Sequence, residues 1–523
     1  MLFTGELKPY QEEPVKKFLE RGNLLVAYEM GLGKTVIGIA AAEELLASGA
    51  ISCCVIVCPA SLKYQWAQRI AQFTDALIIP WKIKGEEILL PLNTCIIDGG
   101  KAAREKLYKQ VVPLSRYIIM GYDNVINDTN FVRDIKPGMV ILDEATAIKT
   151  FKAQRTKQIK KMLKAPYRMA LTGTPIENRP DEVFSIMQWV DETVLGRYDL
   201  FDKAYCKRNT YGWVIAYKNL PVLRRRLATA MSRKSRLDPD VRPFLPEVDY
   251  SEDWMVEIPP AVRKVYKTIA LDMIKELDNV EVFNGFDVHA YYSGHDESTP
   301  SGKLMAMYMC LEMLLDHPDL IIHSAQNGAG YANYLWQSGM LDDILESQKL
   351  NLVVDKVAEI TQFPENKVII FSFYREMINI IQEELDVQSV QFHGDLSPAD
   401  KAAAISKFAN DPECRVLLSS HAGAYGADLY MANYLVNYDQ PWSAGKADQI
   451  NGRHVRVSSE FSQVYIRDIM AIDSVNEWKK RKVIRKRRIA GAIMDGVGQD
   501  DTGSVELDGD TLRDHLAWVI KSW

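Results

Sequence analysis

An apolar run, a glycine-bearing loop and a long amphipathic stretch succeed one another at "LLVAYEMGLGKTVIGIAAAEEL", and few folds accept that succession. The run reads as a buried strand and the stretch from Thr35 as a helix, so the loop's amides and the helix N-terminus face one anion site. The loop Met30, Gly31, Leu32 and Gly33, with its two glycines, lets backbone N–H groups approach a polyphosphate. Lys34 reaches the β/γ-phosphates, and the Thr35 hydroxyl ligates Mg2+. The opening glycine of the usual pattern is replaced by Tyr28, and the loop alone leaves its competence open.

The alternation continues to about residue 190, with strands expected at "LLVAY", "CCVIVCP", "TCIID", "RYIIMGY", "MVILDEA" and "YRMALTG". Short β-rich runs separated by amphipathic stretches are the pattern of a parallel sheet with crossover helices. A second such region opens at Lys367, with strands expected at "KVIIFSF", "VQFHG", "RVLLSS", "NYLVNYD" and "FSQVYIRDI", and it has no phosphate loop of its own. The fold class is therefore α/β, two parallel-sheet lobes with a helical connector, and ligands of such sheets sit beyond the carboxyl ends of the strands. Four segments are expected: a lobe bearing the phosphate loop at 1–195, a helical connector at 196–345, a second lobe at 346–494, and an acidic linker with a C-terminal amphipathic segment, more a docking helix than a catalytic element, at 495–523.

At 523 residues the chain exceeds one ordinary core. No apolar run approaches the ~20 residues of a bilayer span, and the N-terminus lacks a secretory pattern, so an intracellular, reducing setting without membrane contact is the expectation. Seven cysteines without a CxxC pair support neither a disulfide framework nor a zinc ribbon. A net charge of −6 is unusual for a protein that grips nucleic acid by bulk electrostatics, and local basic runs at 223–236 and 479–488 have to suffice.

Asp143 and Glu144 end an apolar strand in "MVILDEATAIK", where adjacent acids divide two tasks: Asp143 holds Mg2+ and Glu144 polarises the attacking water. The structural alternative is a solvated acidic turn. With the upstream loop, this pair makes the sequence resemble the superfamily-two helicases and, within them, the Swi/Snf-type double-stranded DNA translocases, whose loop commonly reads DEMGLGKT. Glu29 to Thr35 match that form in full and only Tyr28 departs from it.

The resemblance runs along most of the chain in the family's order, and implies two RecA-like lobes closing on ATP-Mg2+. It assigns Gln11 to the adenine edge; Pro59, Ser61, Gln65 and Trp66 stand at the places of the next motif; and Thr172, Gly173, Thr174 and Pro175 match the segment that couples nucleotide to track. In the second lobe it implies roles for His393, Gly394, His421, Gly426, Asp428 and Gln449, and places Arg453 and Arg456 as the arginines that stabilise charge on the γ-phosphoryl. Spaced three apart, these two can share a helical face; surface ion pairing is the structural alternative. His317, before Pro318, is expected to be structural. The chain departs from the family at Thr146, where a histidine is common, and at "VRVSS".

The resemblance implies an ATP hydrolase that moves along or remodels duplex or branched DNA, compact like the strand-annealing branch and suited to repair or replication. Contacts to the DNA backbone are expected from Ser61, Lys63, Thr174, His421 and the basic connector, without sequence readout. A monomer is expected, in the cytoplasm of a bacterium or infected cell, or in the nucleus of a eukaryote. Two other readings stand beside it: a strand-separating helicase on RNA or single-stranded DNA, and a nucleotide-gated DNA-binding protein without turnover.

Overall fold

Each of the six strands expected before residue 190 forms: β1 (Asn23–Tyr28), β2 (Cys54–Cys58), β3 (Thr94–Ile96), β4 (Tyr117–Gly121), β5 (Met139–Asp143) and β6 (Tyr167–Leu171). This is a computed structural model, and it describes residues 2–523 except 84–85, 178, 211–213, 280–299, 421–428, 442, 457–458, 460, 498–499, 501–503 and 507–510. The chain divides into two units, residues 1–245 with 486–507, and residues 246–485 with 508–523. The stretch expected to be a separate connector is thus shared between them.

With β7 (Met231–Lys234) added, the sheet order in the first unit is β7-β1-β6-β5-β2-β4-β3, and every pairing is parallel. Residues of β2, β4 and β5 are buried throughout, because helices cover both sheet faces. Alternate residues divide between two cores. Leu24, Val26, Ile56 and Ile141 pack under α1 (Pro9–Arg21), α2 (Lys34–Ala47) and α3 (Lys63–Phe73). Leu25, Val55, Ile118 and Val140 pack on the other side with Val125 of α5 (Tyr122–Asn127) and Ile159 of α6 (Gln154–Met162). The helix α4 (Lys101–Gln110) lies between β3 and β4 in the chain.

The seventh strand, β7 (Met231–Lys234), corrects the sequence reading. It comes from the basic stretch assigned to the connector, and it pairs with β1 along Leu25 to Tyr28. Its charged residues hid it: Arg233 and Lys234 break the apolar signature, yet an edge strand tolerates charge on its open side.

The second unit contains all five expected strands, β10 (Val368–Ser372), β11 (Ser389–Phe392), β12 (Val416–Ser420), β13 (Tyr434–Asn437) and β14 (Gln463–Ala471). Two short strands, β8 (Glu247–Asp249) and β9 (Trp254–Val256), also pair with β14, where only helix was expected. The order is β8-β14-β13-β10-β12-β11. Helices α7 (Pro260–Asn279), α8 (Pro300–Asp316), α9 (Pro318–Gln326) and α10 (Gln348–Thr361) supply a large apolar core with Tyr266, Leu311 and Val353. Within it Lys349 Nζ lies 2.6 Å from Asp316 Oδ1, with both side chains almost wholly excluded from solvent. His317 accepts from Asp319 N through Nδ1 at 3.2 Å and so caps α9, the structural role expected of it.

Helix α11 (Ala444–Asn451) comes after β13, and α12 (Val475–Met494) carries the basic run 479–488. The chain then adds Val505–Glu506 to the strand Val214–Tyr217 of the first unit, and ends in α13 (Leu512–Ser522) in the second. Helix α13 buries Leu512, Leu516 and Val519, and Arg513 pairs with Asp278 of α7 at 2.6 Å.

Candidate nucleotide site

The loop after β1 is built on left-handed glycines, Gly31 at φ 86° and Gly33 at φ 78°. Gly33 is doubly required, since a Cβ there would also lie 2.2 Å from Gln11 Nε2. Gln11 spans the loop: its Nε2 donates to Leu32 O at 3.0 Å, and its Oε1 accepts from Lys8 N at 2.9 Å. One N–H and one lone pair of that amide are left for a ligand such as a base edge. Lys34 Nζ donates to Tyr28 O at 2.9 Å and Glu29 O at 3.3 Å, and Thr35 is half-buried in the first turn of α2.

Tyr28 is a core residue. Its ring is fully buried, its hydroxyl donates to Tyr10 O at 2.7 Å and accepts from Ser232 Oγ at 3.3 Å, and burial pushes its phenol well up. Only its carbonyl belongs to the loop, so replacing the opening glycine leaves the Lys34 and Thr35 chemistry intact. Strand β7 and its continuation hold the other side of the loop. Arg233 pairs with Glu29 at 3.2 Å and donates to Ala27 O at 2.9 Å, and Arg236 donates to Met30 O through Nε at 3.2 Å.

Asp143 is buried at the end of β5. Its Oδ2 accepts from Trp66 Nε1 at 2.8 Å and its Oδ1 from Glu144 N at 3.0 Å. The Tyr122 hydroxyl donates to Asp143 O at 2.8 Å and lies 3.4 Å from Glu144 O. Glu144 itself takes the left-handed conformation, φ 51° and ψ 56°, a strained choice for a residue with a Cβ. Burial, followed by the charge of Asp143, pushes the Tyr122 phenol far above its ordinary value, so it stays a donor.

The third loop comes after β6. Thr172 is fully buried, its N–H donates to Val26 O at 3.1 Å, and its Oγ1 accepts from Thr174 N at 3.2 Å. A Cβ on Gly173 would stand 3.6 Å from Lys34 Nζ, which brings this segment beside the phosphate loop. An ion pair between Lys149 and Glu177 links it to the turn after Glu144.

Ser61 is exposed in the turn Ala60–Leu62. Lys63, expected to reach a DNA backbone, instead turns inward: it is buried, donates to Ile97 O at 2.9 Å and pairs with Asp98 at 2.8 Å. Burial raises the Asp98 carboxyl, but hydrogen bonds from Lys63 and Tyr64 outweigh it and hold the group at about 2.

In the second unit His393 is buried just after β11, its Nδ1 4.0 Å from Asp395 Oδ2, and burial with nearby Arg375 lowers its pKa. Gly394 is exposed and its carbonyl accepts from Lys401 Nζ at 3.1 Å. Gln449 is half-buried on α11. Arg453 and Arg456 do not share a helical face: α11 ends at Asn451, Arg453 lies in the turn that follows it, and Arg456 lies beyond that turn outside any helix or strand. Arg453 is buried and its carbonyl accepts from Leu429 N at 3.0 Å, while Arg456 is half-buried. His421, Gly426 and Asp428 lie outside the described residues.

A family model described as SNF2-related domain matches residues 10–320, and one described as helicase conserved C-terminal domain matches residues 348–458. The chain belongs to the SNF2-related family. Among SNF2-related proteins, TATA-binding protein-associated factor 172 of Homo sapiens is 25% identical over 513 residues, covering 87% of this chain and 26% of that one. ATP-dependent DNA helicase DDM1 of Arabidopsis thaliana is 23% identical over 518 residues, covering 95% and 63%. The chain thus spans about a quarter of the first relative's length and under two thirds of the second's. The Pyrococcus furiosus Hef helicase domain shares the fold, with a TM-score of 0.52 at 18% identity over 91% of this chain and 98% of that one.

The oxygens of this SNF2-related core suit Mg2+, a hard cation that takes one or two protein oxygens and completes its shell with water and phosphate. Asp143 supplies a carboxylate already oriented by Trp66 and Glu144 N, and Thr35 offers a hydroxyl. No cluster of three or more His, Cys, Asp or Glu that could hold a metal ion occurs among the described residues. Residues with no role assigned from sequence complete the site. Tyr122 and Arg233 gave no motif signal, and Trp66 had a matching place but no task. Its signal was the indole itself, since a buried tryptophan needs a partner for its N–H.

Proposed function

We propose that the chain hydrolyses ATP and uses the cycle to move along or remodel duplex or branched DNA without reading its sequence. One observation carries this reading: β1, β6 and β5 are neighbours in one sheet, and their carboxyl ends lead directly into the phosphate loop, the Thr172–Thr174 segment and the Asp143–Glu144 pair. Lys34 and Thr35 would bind the phosphates, with Thr35 and Asp143 holding Mg2+, which supplies charge neutralisation on the phosphates. Glu144 would orient the attacking water, and Arg453 and Arg456 would stabilise charge on the γ-phosphoryl. DNA as the partner is supported by the name of the Arabidopsis relative. The acting form is proposed to be an intracellular monomer, with Ser61 and Thr174 among its backbone contacts.

Steady-state ATP hydrolysis without nucleic acid, and with single-stranded DNA, duplex DNA, a branched junction or RNA, tests this. Stimulation by duplex or branched DNA, abolished by Lys34→Ala and by Glu144→Gln, is the expected result. Turnover on no substrate, despite measurable ATP and DNA binding, overturns it.

A further inference from the structure

The two basic runs conspicuous in the sequence are partly spent inside the protein, although Arg225, Arg226, Arg481, Arg487 and Arg488 stay exposed. In 223–236, Arg233 pairs with Glu29 and Asp495, Lys234 with Asp240, and Arg224 and Arg236 bind main-chain carbonyls. In 479–488, Lys479 is buried against Glu312 at 2.5 Å and Lys480 pairs with Asp468 at 2.9 Å. A chain of net charge −6 that grips a polyanion gains from every further cluster of exposed cations.

Helix α6 has them. From Lys149 to Lys164 the sequence "KTFKAQRTKQIKKMLK" holds seven cations and no acid. Helix α6 buries Thr156 and Ile159 against the unit, and two cations serve the fold: Lys149 in its pair with Glu177, and Lys160 on Ser185 Oγ at 2.9 Å and Gln188 Oε1 at 3.1 Å. Lys152, Arg155, Lys157, Lys161 and Lys164 are exposed. Arg155 meets Asp123 at 3.3 Å, a surface pair of little worth, and Lys157, Lys161 and Lys164 form no ion pair among the described residues. Lys157 and Lys161, four residues apart, stand one above the other and repel. The face also adjoins the reaction centre, because the Arg155 guanidinium lies 5.9 Å from the centre of the Tyr122 ring, whose hydroxyl holds the Asp143–Glu144 peptide.

We propose that the exposed face of α6 is a contact surface for nucleic-acid backbone phosphates, outside the motifs matched from sequence. It rests on the reading of the chain as a DNA motor, and it names where that motor carries part of its electrostatic grip.

Equilibrium binding to a short duplex of arbitrary sequence, without nucleotide and over a range of salt, tests it. The triple variant Lys157→Gln, Lys161→Gln, Lys164→Gln is expected to bind at least about tenfold more weakly, with the slope of log affinity against log salt reduced by about two to three, at ~0.9 per lost phosphate contact. A control of equal charge, Lys101→Gln, Lys106→Gln, Lys109→Gln on α4, should stay within about threefold of the parent with an unaltered slope. Equal losses in both triples, or none in the first, overturn the α6 surface while leaving the motor reading intact. Absence of duplex binding by the parent chain overturns both.

Discussion

The Trp66 indole, on α3, donates to the Oδ2 of Asp143, at the end of β5, across 2.8 Å of buried space. Hydrogen bonds to charged groups are worth about 1.5–3 kcal/mol, and this one fixes which lone pairs the carboxylate turns outward. Trp66→Phe keeps most of the packing and removes the donor. Its ATPase kcat should fall about 10- to 100-fold while the protein stays folded. Circular dichroism with steady-state kinetics checks it, and more Mg2+ should be needed for half-maximal rate.

Tyr122→Phe deletes a single hydroxyl, the one that holds the carbonyls of Asp143 and Glu144. Left-handed Glu144 should then relax, lowering kcat roughly tenfold with the KM for ATP within about twofold. Amide hydrogen exchange across residues 141–149 should quicken while the rest of the sheet keeps its protection. Uniformly faster exchange would mean a general loss of stability instead.

Arg233→Met should destabilise the first unit by roughly 1–3 kcal/mol, because Glu29 and Asp495 lose a shared cation and Ala27 O loses a donor. The effect belongs at the phosphate loop, so ATP affinity should weaken as well. Thermal unfolding with and without nucleotide measures both.

Lys349→Met leaves Asp316 buried without its counter-charge, at a cost of about 3–5 kcal/mol at neutral pH. Burial already raises the Asp316 carboxyl, against the pull of Lys349. A folded pKa above the unfolded one means stability is present at low pH and lost as pH rises through the folded value. The variant should therefore recover part of its deficit as pH falls from about 7 to about 5. Adding Asp316→Leu should remove that pH dependence and restore most of the stability, as urea unfolding at each pH would report.

How much the chain discloses before folding depends on how each element is stabilised. Most of the eleven expected strands are buried on both faces, so their apolar runs announce them, and the loops at their ends are legible because phosphate chemistry admits few residues. β7 was hidden because Arg233 and Lys234 interrupt the apolar run, and their partners Glu29, Asp495 and Asp240 are mostly far off in sequence. Trp66, Tyr122 and Lys63 act through contacts 21 to 77 residues distant, which no local pattern encodes. The arginine pair misled for the opposite reason: a three-residue spacing is compatible with a helix, but the helix had already ended at Asn451.

The return of residues 486–507 to the first unit also bears on how the protein is made. Domains ordinarily fold from the N-terminus as they leave the ribosome, at about 5–20 residues per second. Here the first unit has its opening 245 residues long before its residues 486–507 are synthesised, and Val505 cannot join the strand at Tyr217 until about 290 further residues have been added. For some tens of seconds at those rates, the nascent chain carries an unfinished nucleotide-binding half, with Ile489, Ala492 and Ile493 still missing from its core. A ribosome stalled before residue 486 would hold a polypeptide containing every residue of the phosphate loop, yet lacking the segment that completes the unit around it.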